Sequence, residues 1–218
     1  MICKMIYTHV FWDFNGTIYD DVGAGFETIN VLLERYDLPR LATVNDYQNT
    51  FAFPIIDYYE SLGFDFKMID FDKLAVEWLG LYLKNSADSG LYPDVKDTIL
   101  RLRALGARQI IFSASEMKTL ENQLRSLGIE EYFDDVLAND NARGDGKAAL
   151  GLEYIKKKSP EKSVLIGDTT HDFEAAEAMG IDCVLIARGH QSKKVLLKTG
   201  ALVFDNLSGA VDYISTKI

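Results

Sequence analysis

The apolar run His9-Val10-Phe11-Trp12 breaks abruptly into Asp13-Phe14-Asn15-Gly16-Thr17. Strand formers over residues 5–14 predict a buried strand that delivers Asp13 to its carboxyl end, where Gly16 lets the backbone turn away. From Val22 to Tyr36 apolar residues recur at helical spacing, and Leu38-Pro39 closes that helix. Residues 43–86 keep the helical period but are dense in aromatics, with breaks at Phe53-Pro54 and Gly63. From Tyr92-Pro93 onward, helices and short apolar strands alternate. The pattern predicts helix 94–105, strand 109–113, helix 116–127, strand 136–138, helix 147–157, strand 163–167 and helix 172–179 closed by Gly180. Strand 183–186 and a last strand and helix complete the series.

Short apolar strands alternating with helices imply a parallel sheet covered on both faces by right-handed crossovers. The expected fold is therefore α/β: a Rossmann-like open parallel-sheet core of residues 1–20 and 89–218, interrupted by an inserted α-helical cap of residues 21–88. A chain of 218 residues that is 48% hydrophobic is long enough for one full core with such an insertion.

Charge and cysteine content narrow the partners. The net charge of -10, with no Lys/Arg stripe among aromatics, argues against nucleic acid. No run approaches the ~20 apolar residues of a membrane span. Lys4, His9 and Asp13 interrupt the apolar start, so no signal peptide is expected. Cys3 and Cys183 lie far apart and no Cys/His cluster accompanies them, which points to free thiols in a cytoplasmic protein. A small anion remains an acceptable ligand, because it needs only local positive charge.

In an open α/β sheet, ligands gather at the carboxyl ends of the strands. Asp13, Ser113 and the turn Gly167-Asp168-Thr169-Thr170-His171-Asp172 all fall there, and Lys147, after Arg143-Gly144-Asp145-Gly146, can face the same crevice. Each also has a bland reading. Ser113 can start a helix cap, Lys147 can be a solvated surface lysine, and Asp168 can be a helix N-cap with Asp172 as a first-turn charge. His171 reads as an exposed helix-start residue, and Lys156-Lys157-Lys158 as cations complementing a helix C-terminus.

Taken together, Asp13-Phe14-Asn15-Gly16-Thr17-Ile18-Tyr19-Asp20, Ile110-Ile111-Phe112-Ser113, Lys147 and Gly167 to Asp172 resemble the haloacid dehalogenase-like hydrolase superfamily, in its phosphoglycolate phosphatase-like branch. The resemblance covers nearly the whole chain. It implies that Asp13 attacks phosphorus to form an aspartyl-phosphate. Mg²⁺ would be held by Asp13, Asp168 and the backbone carbonyl of Asn15, with Asp172 in support. Ser113 would bind a phosphate oxygen and Lys147 would offset charge beside Asp13. Gly16, Thr17 and Ala114 would complete the phosphate surroundings. Physics agrees with such a set: an anionic nucleophile meets an anionic phosphate only where hard oxygen ligands hold a cation.

The departure is Asn15. The family's phosphatases carry an aspartate there as general acid and base, and losing one such catalyst lowers a rate roughly 10²–10⁴-fold. Three explanations stay open: a slow natural phosphatase, for instance of acyl-phosphates; a protein that kept the pocket for binding; or a substituted or deamidation-prone position. Metal-free dehalogenases fit less well, because Asp168 and Asp172 are present. A phosphonate hydrolase would need a cap lysine, and Lys67, Lys73 and Lys84 read as solvated instead.

The expected activity is thus Mg²⁺-dependent hydrolysis of a small phosphorylated metabolite by a monomer or homodimer. The competing expectation is a catalytically silent metabolite- or partner-binding protein. Substrate choice falls to the cap, whose aromatics read mainly as core. Arg40 and Phe51-Ala52-Phe53-Pro54 are the candidates to face the substrate, and hinges are expected near Asp20-Asp21 and Ser89-Gly90.

Overall fold

The computed structural model describes residues 7–139 and 146–216; Cys3, Lys4 and the Arg143-Gly144-Asp145 segment lie outside them. The elements run β1 (His9–Trp12), α1 (Val22–Arg35), α2 (Val44–Thr50), α3 (Ile55–Ser61), α4 (Phe71–Asn85), α5 (Val95–Ala104), β2 (Arg108–Glu116) and α6 (Met117–Ser126). They continue with β3 (Asp135–Asn139), α7 (Lys147–Lys158), β4 (Ser163–Gly167), α8 (Thr170–Met179), β5 (Asp182–Ile186), α9 (Lys193–Leu196), β6 (Leu202–Phe204) and α10 (Leu207–Thr216).

The six strands form one sheet in the order β3-β2-β1-β4-β5-β6, every pair parallel. This is the expected Rossmann-like α/β core. Alternation along β1 sorts its side chains: Val10 and Trp12 join the layer under α5 and α10, while Phe11 packs with Phe112 and Tyr154 on the opposite face. Both faces are covered, which explains why the strands read as continuous apolar runs. The sheet grows outward in both directions from β1, so the crevice of an open α/β sheet opens at β1's carboxyl end, between β2 and β4.

Helices α1–α4 leave the sheet between β1 and α5 and bury their own cluster, including Ile29, Leu32, Leu33, Tyr58 and Leu74. The outgoing and returning segments run side by side, with Asp20 N–H donating to the Gly90 carbonyl at 2.8 Å and Tyr92 N–H to Ile18 at 3.1 Å. Strand β2 runs three residues beyond the expected stop at Ser113, with its register to β3 shifting between Phe112 and Glu116. No helix of the described residues is long and apolar enough to cross a membrane.

Leu33 is fully buried in the helical cluster. Leu33→Ala is expected to cost about 2–5 kcal/mol in urea unfolding through lost burial and the cavity left behind; a loss below ~1 kcal/mol would contradict this packing.

Candidate active site

Asp13 follows β1 immediately, its N–H donating to the Ile166 carbonyl at 2.9 Å. Facing it is Lys147, the first residue of α7, which the chain reaches through Gly146 in the left-handed region at φ 86°. The Lys147 Nζ donates to Asp13 Oδ1 at 2.5 Å and to Asp172 Oδ1 at 2.6 Å, and lies 5.0 Å from the centre of the Phe112 ring. At 1% exposure it is no surface lysine.

The β4–α8 turn supplies the other two acids. Thr169 is the N-cap of α8: its hydroxyl donates to Asp172 Oδ2 at 2.7 Å, and the same oxygen accepts the Thr169 N–H at 3.0 Å and the Asp168 N–H at 3.2 Å. Because Thr169 caps the helix, Asp168 is released for the crevice. Its Oδ1 accepts from the Thr17 hydroxyl at 3.0 Å and its Oδ2 from the His190 N–H at 2.6 Å. Two glycines make room for it. A Cβ on Gly16 would sit 2.4 Å from Asp168 Oδ2, and one on Gly189 would sit 2.0 Å away. Asp13, Asp168 and Asp172 each offer an oxygen within 4.8 Å of the others.

Two of the three buried carboxylates, Asp13 and Asp172, share one ammonium, and burial and charge together set the proton affinities of all three. Burial pushes Asp13 well above the usual carboxylate range; Asp172 adds to the shift and Lys147 only partly opposes it. Burial likewise raises Asp168 to about 6, with His190 opposing and Asp172 adding. Asp172 goes the other way, since the Lys147 charge and hydrogen bond outweigh its burial. The same contacts, chiefly with Asp13 and Asp172, outweigh burial at Lys147 and hold its proton more tightly. A cluster of hard oxygens with a net negative charge is the donor set that an oxygen-seeking divalent cation requires.

A second buried pair, Asp21 and His190, escaped the sequence reading. The Asp21 carboxylate accepts from Gly16 N–H at 2.8 Å, Asn15 Nδ2 at 2.8 Å and the Tyr82 hydroxyl at 2.6 Å, and meets His190 Nε2 at 3.2 Å. The other His190 nitrogen meets the Tyr47 hydroxyl at 2.8 Å. Burial alone would lower His190, but Asp21, helped by Asp168 and Asp13, pushes it up to about 9, and the His190 charge in turn keeps Asp21 ionised against its burial. Gln48 Nε2 donates to the Gly189 carbonyl at 2.7 Å and Gln191 Nε2 to the Phe51 carbonyl at 2.9 Å. The segment after β5 therefore ties helix α2 to the Asp168 corner. Application of the strand-end rule to β5 would have drawn attention to Gly189-His190-Gln191.

Asn15 is tied down. Its Nδ2 donates to Asp21 and, at 2.7 Å, to the Tyr82 hydroxyl, while its Oδ1 accepts from the Ser115 hydroxyl at 2.9 Å. Ser113 is buried at the cavity wall, its Oγ accepting the Ser115 N–H at 3.1 Å; it caps no helix. Ala114 lines the cavity beside it. Gly16 and Thr17 lie behind Asp168 rather than among the lining residues. The cavity, about 210 Å³, spans from Asp13, Lys147 and the acids to aromatic side chains of α2–α4. Phe51 and Phe53 reach it, whereas Arg40 is exposed and pairs with Glu34 at 3.6 Å. His171 is half-buried rather than exposed, because its ring stacks on Phe53 at 4.5 Å and lines the same cavity.

The family whose description is haloacid dehalogenase-like hydrolase matches residues 10–186. The chain is 25% identical over 208 residues to a phosphoglycolate phosphatase of Pseudomonas putida, covering 91% of this chain and 76% of that one. It is also 30% identical over 122 residues to the tyrosine-protein kinase PtkA of Mycobacterium tuberculosis, covering 55% of this chain and 40% of that protein. In fold it is similar to a haloacid dehalogenase-like family hydrolase from Streptococcus pneumoniae, with a TM-score of 0.80 at 17% identity over 95% of this chain and 98% of that one. The chain belongs to the haloacid dehalogenase-like hydrolase family, in its phosphoglycolate phosphatase-like branch.

Proposed function

We propose that this chain hydrolyses phosphate monoesters of small metabolites, with Asp13 as nucleophile and Mg²⁺ as cofactor. The observation that carries the reading is the buried Lys147 clamping Asp13 and Asp172 beside Asp168 at the wall of the cavity. Asp13, Asp168, Asp172 and the backbone carbonyl of Asn15 are the groups that would hold Mg²⁺. When bound, the ion supplies the positive charge that lets a carboxylate approach a phosphate.

In this scheme Asp13 forms a bond to phosphorus as the bond to the leaving oxygen breaks, and water later releases phosphate from Asp13. Lys147 holds Asp13 in place and offsets charge that builds on the phosphoryl group. The Ser113 hydroxyl donates to a phosphoryl oxygen. Helices α1–α4, residues 21–88 with the adjoining hinges, act as the cap that keeps bulk water out. Gly16 and Thr17 serve by fixing Asp168. Asn15 moves no proton, because a carboxamide does not ionise near neutral pH, and its three hydrogen bonds hold it in place. The leaving group departs unprotonated and turnover is slow. That same locked amide favours a second reading, a binding protein that retained the pocket.

With Mg²⁺, slow hydrolysis of a chromogenic phosphate is expected, abolished by EDTA and by Asp13→Asn. Asn15→Asp is expected to gain roughly 10²-fold or more. If both wild type and Asn15→Asp stay silent while vanadate binds, the binding-protein reading replaces this one. Lys147→Met leaves two buried carboxylates without their cation, so urea unfolding in EDTA is expected to show a loss of about 3–5 kcal/mol. An unchanged midpoint would mean that the ammonium is not what holds the acids together.

A further inference from the structure

The cavity's far wall is aromatic and uncharged. Phe51 stands edge-on to Phe53 at 5.4 Å and to Tyr58 at 5.2 Å, while Trp78 and Tyr82 stack in parallel at 4.8 Å. No lysine or arginine from helices α1–α4 is among the lining residues. Among the described residues, the basic groups that line the cavity are Lys147, His190 and His171. Lys147 is spent between Asp13 and Asp172, and His190 between Asp21 and Tyr47. His171 lies over Phe53 with its Nε2 unpartnered. Glu116 and Asp21 add acidic groups to the lining. A leaving group that ends in a carboxylate would thus meet aromatic faces and fixed negative charge with no dedicated cation among the described residues, at a cost in desolvation.

The dimensions fit a ring. A cavity of roughly 150 Å³ holds one benzene, so about 210 Å³ leaves room for one ring and a phosphoryl group. Tyr58 is one of the lining residues, only 2% exposed, and its hydroxyl is buried without a hydrogen-bond partner among the described residues. A buried hydroxyl left unpaired is costly, and a ligand atom that reaches it recovers that loss.

Resting on the phosphatase reading above, we propose that the substrate is an aryl phosphate monoester: a single uncharged ring seated among Phe51, Phe53, Trp78 and Tyr82, with a polar substituent reaching the Tyr58 hydroxyl. Asn15 points the same way independently. A phenol ionises near pH 10, as tyrosine does, whereas water ionises at about 15.7, so an aryl oxygen leaves as its anion without the acid that Asn15 cannot be. In the first step Asp13 bonds to phosphorus and the phosphorus–aryl oxygen bond breaks, its electron pair going to the phenolate. In the second, water oxygen bonds to phosphorus and the bond to Asp13 breaks. One water hydrogen stays on the phosphate and the other reaches the phenolate through solvent.

Ligand binding separates this proposal from the one beneath it. Calorimetry on the full chain with Mg²⁺ compares benzylphosphonate and 4-hydroxybenzylphosphonate, mimics of aryl phosphates, with phosphonoacetate, a mimic of a carboxylate-ended substrate, and with vanadate. Benzylphosphonate is expected to bind about tenfold or more tighter than phosphonoacetate, the effect of burying one ring. Trp78→Ala should weaken it far more than vanadate. The 4-hydroxyl should tighten binding to wild type but not to Tyr58→Phe. Phosphonoacetate binding as tightly as benzylphosphonate, in a protein that still takes vanadate, would overturn the aryl assignment and leave the phosphatase reading standing. Failure of every ligand, vanadate included, would sink both.

Discussion

Lys147 holds its ammonium between the carboxylates of Asp13 and Asp172, with almost no exposure to water. An ion taken out of water costs several kcal/mol even after relaxation, and only close opposite charge with full hydrogen bonding repays it. That condition sets the positions of three elements together. Strand β1 must end on Asp13, helix α7 must begin on Lys147 through the left-handed Gly146, and helix α8 must be capped by Thr169 so that Asp172 points inward. Asp168 makes no hydrogen bond to the ammonium, and burial, with His190 opposing and Asp172 adding, raises its proton affinity. Asp13, Asp168 and Asp172 each offer an oxygen close enough to the others for one cation.

The helices above the sheet are not merely a lid laid over that charge cluster. Asp21, Asn15 and Tyr82 share hydrogen bonds across the point where the chain leaves the sheet, and His190 links Asp21 and Tyr47 while its backbone holds Asp168. The acidic cluster and the aromatic wall are thus joined through buried polar contacts, which are costly to break singly. Asn15 lies at that junction. Its side chain helps fasten the helices to the sheet.

The alternating core was legible because both faces of a parallel sheet are buried, which leaves uninterrupted apolar strands such as Ser163–Gly167 between amphipathic helices. Asp13 and Asp168 were legible from the rule that ligands collect at strand carboxyl ends. Lys147 had almost no signal in sequence, since its burial depends on a left-handed glycine and on two partners 134 and 25 residues away. Tyr47, Tyr58 and Tyr82 were read as core and are buried, but that they also line the cavity left no signal, because a cavity wall and a packed interior present the same apolar helical period. His171 was misread for a related reason: the stacking partner that half-buries it, Phe53, lies far away in the sequence. Asp21 and His190 were missed because an ion pair between distant loops leaves no periodic trace.

The most direct test of the charge-cluster account is a crystal of the chain soaked with Mn²⁺ and fluoroberyllate, with the metal located by anomalous scattering. The account requires beryllium bonded to an Asp13 carboxylate oxygen, the metal between Asp13 and Asp168, and the Lys147 ammonium still within hydrogen-bonding reach of Asp13. A metal bound elsewhere, or fluoroberyllate seated without contact to Asp13, would contradict it.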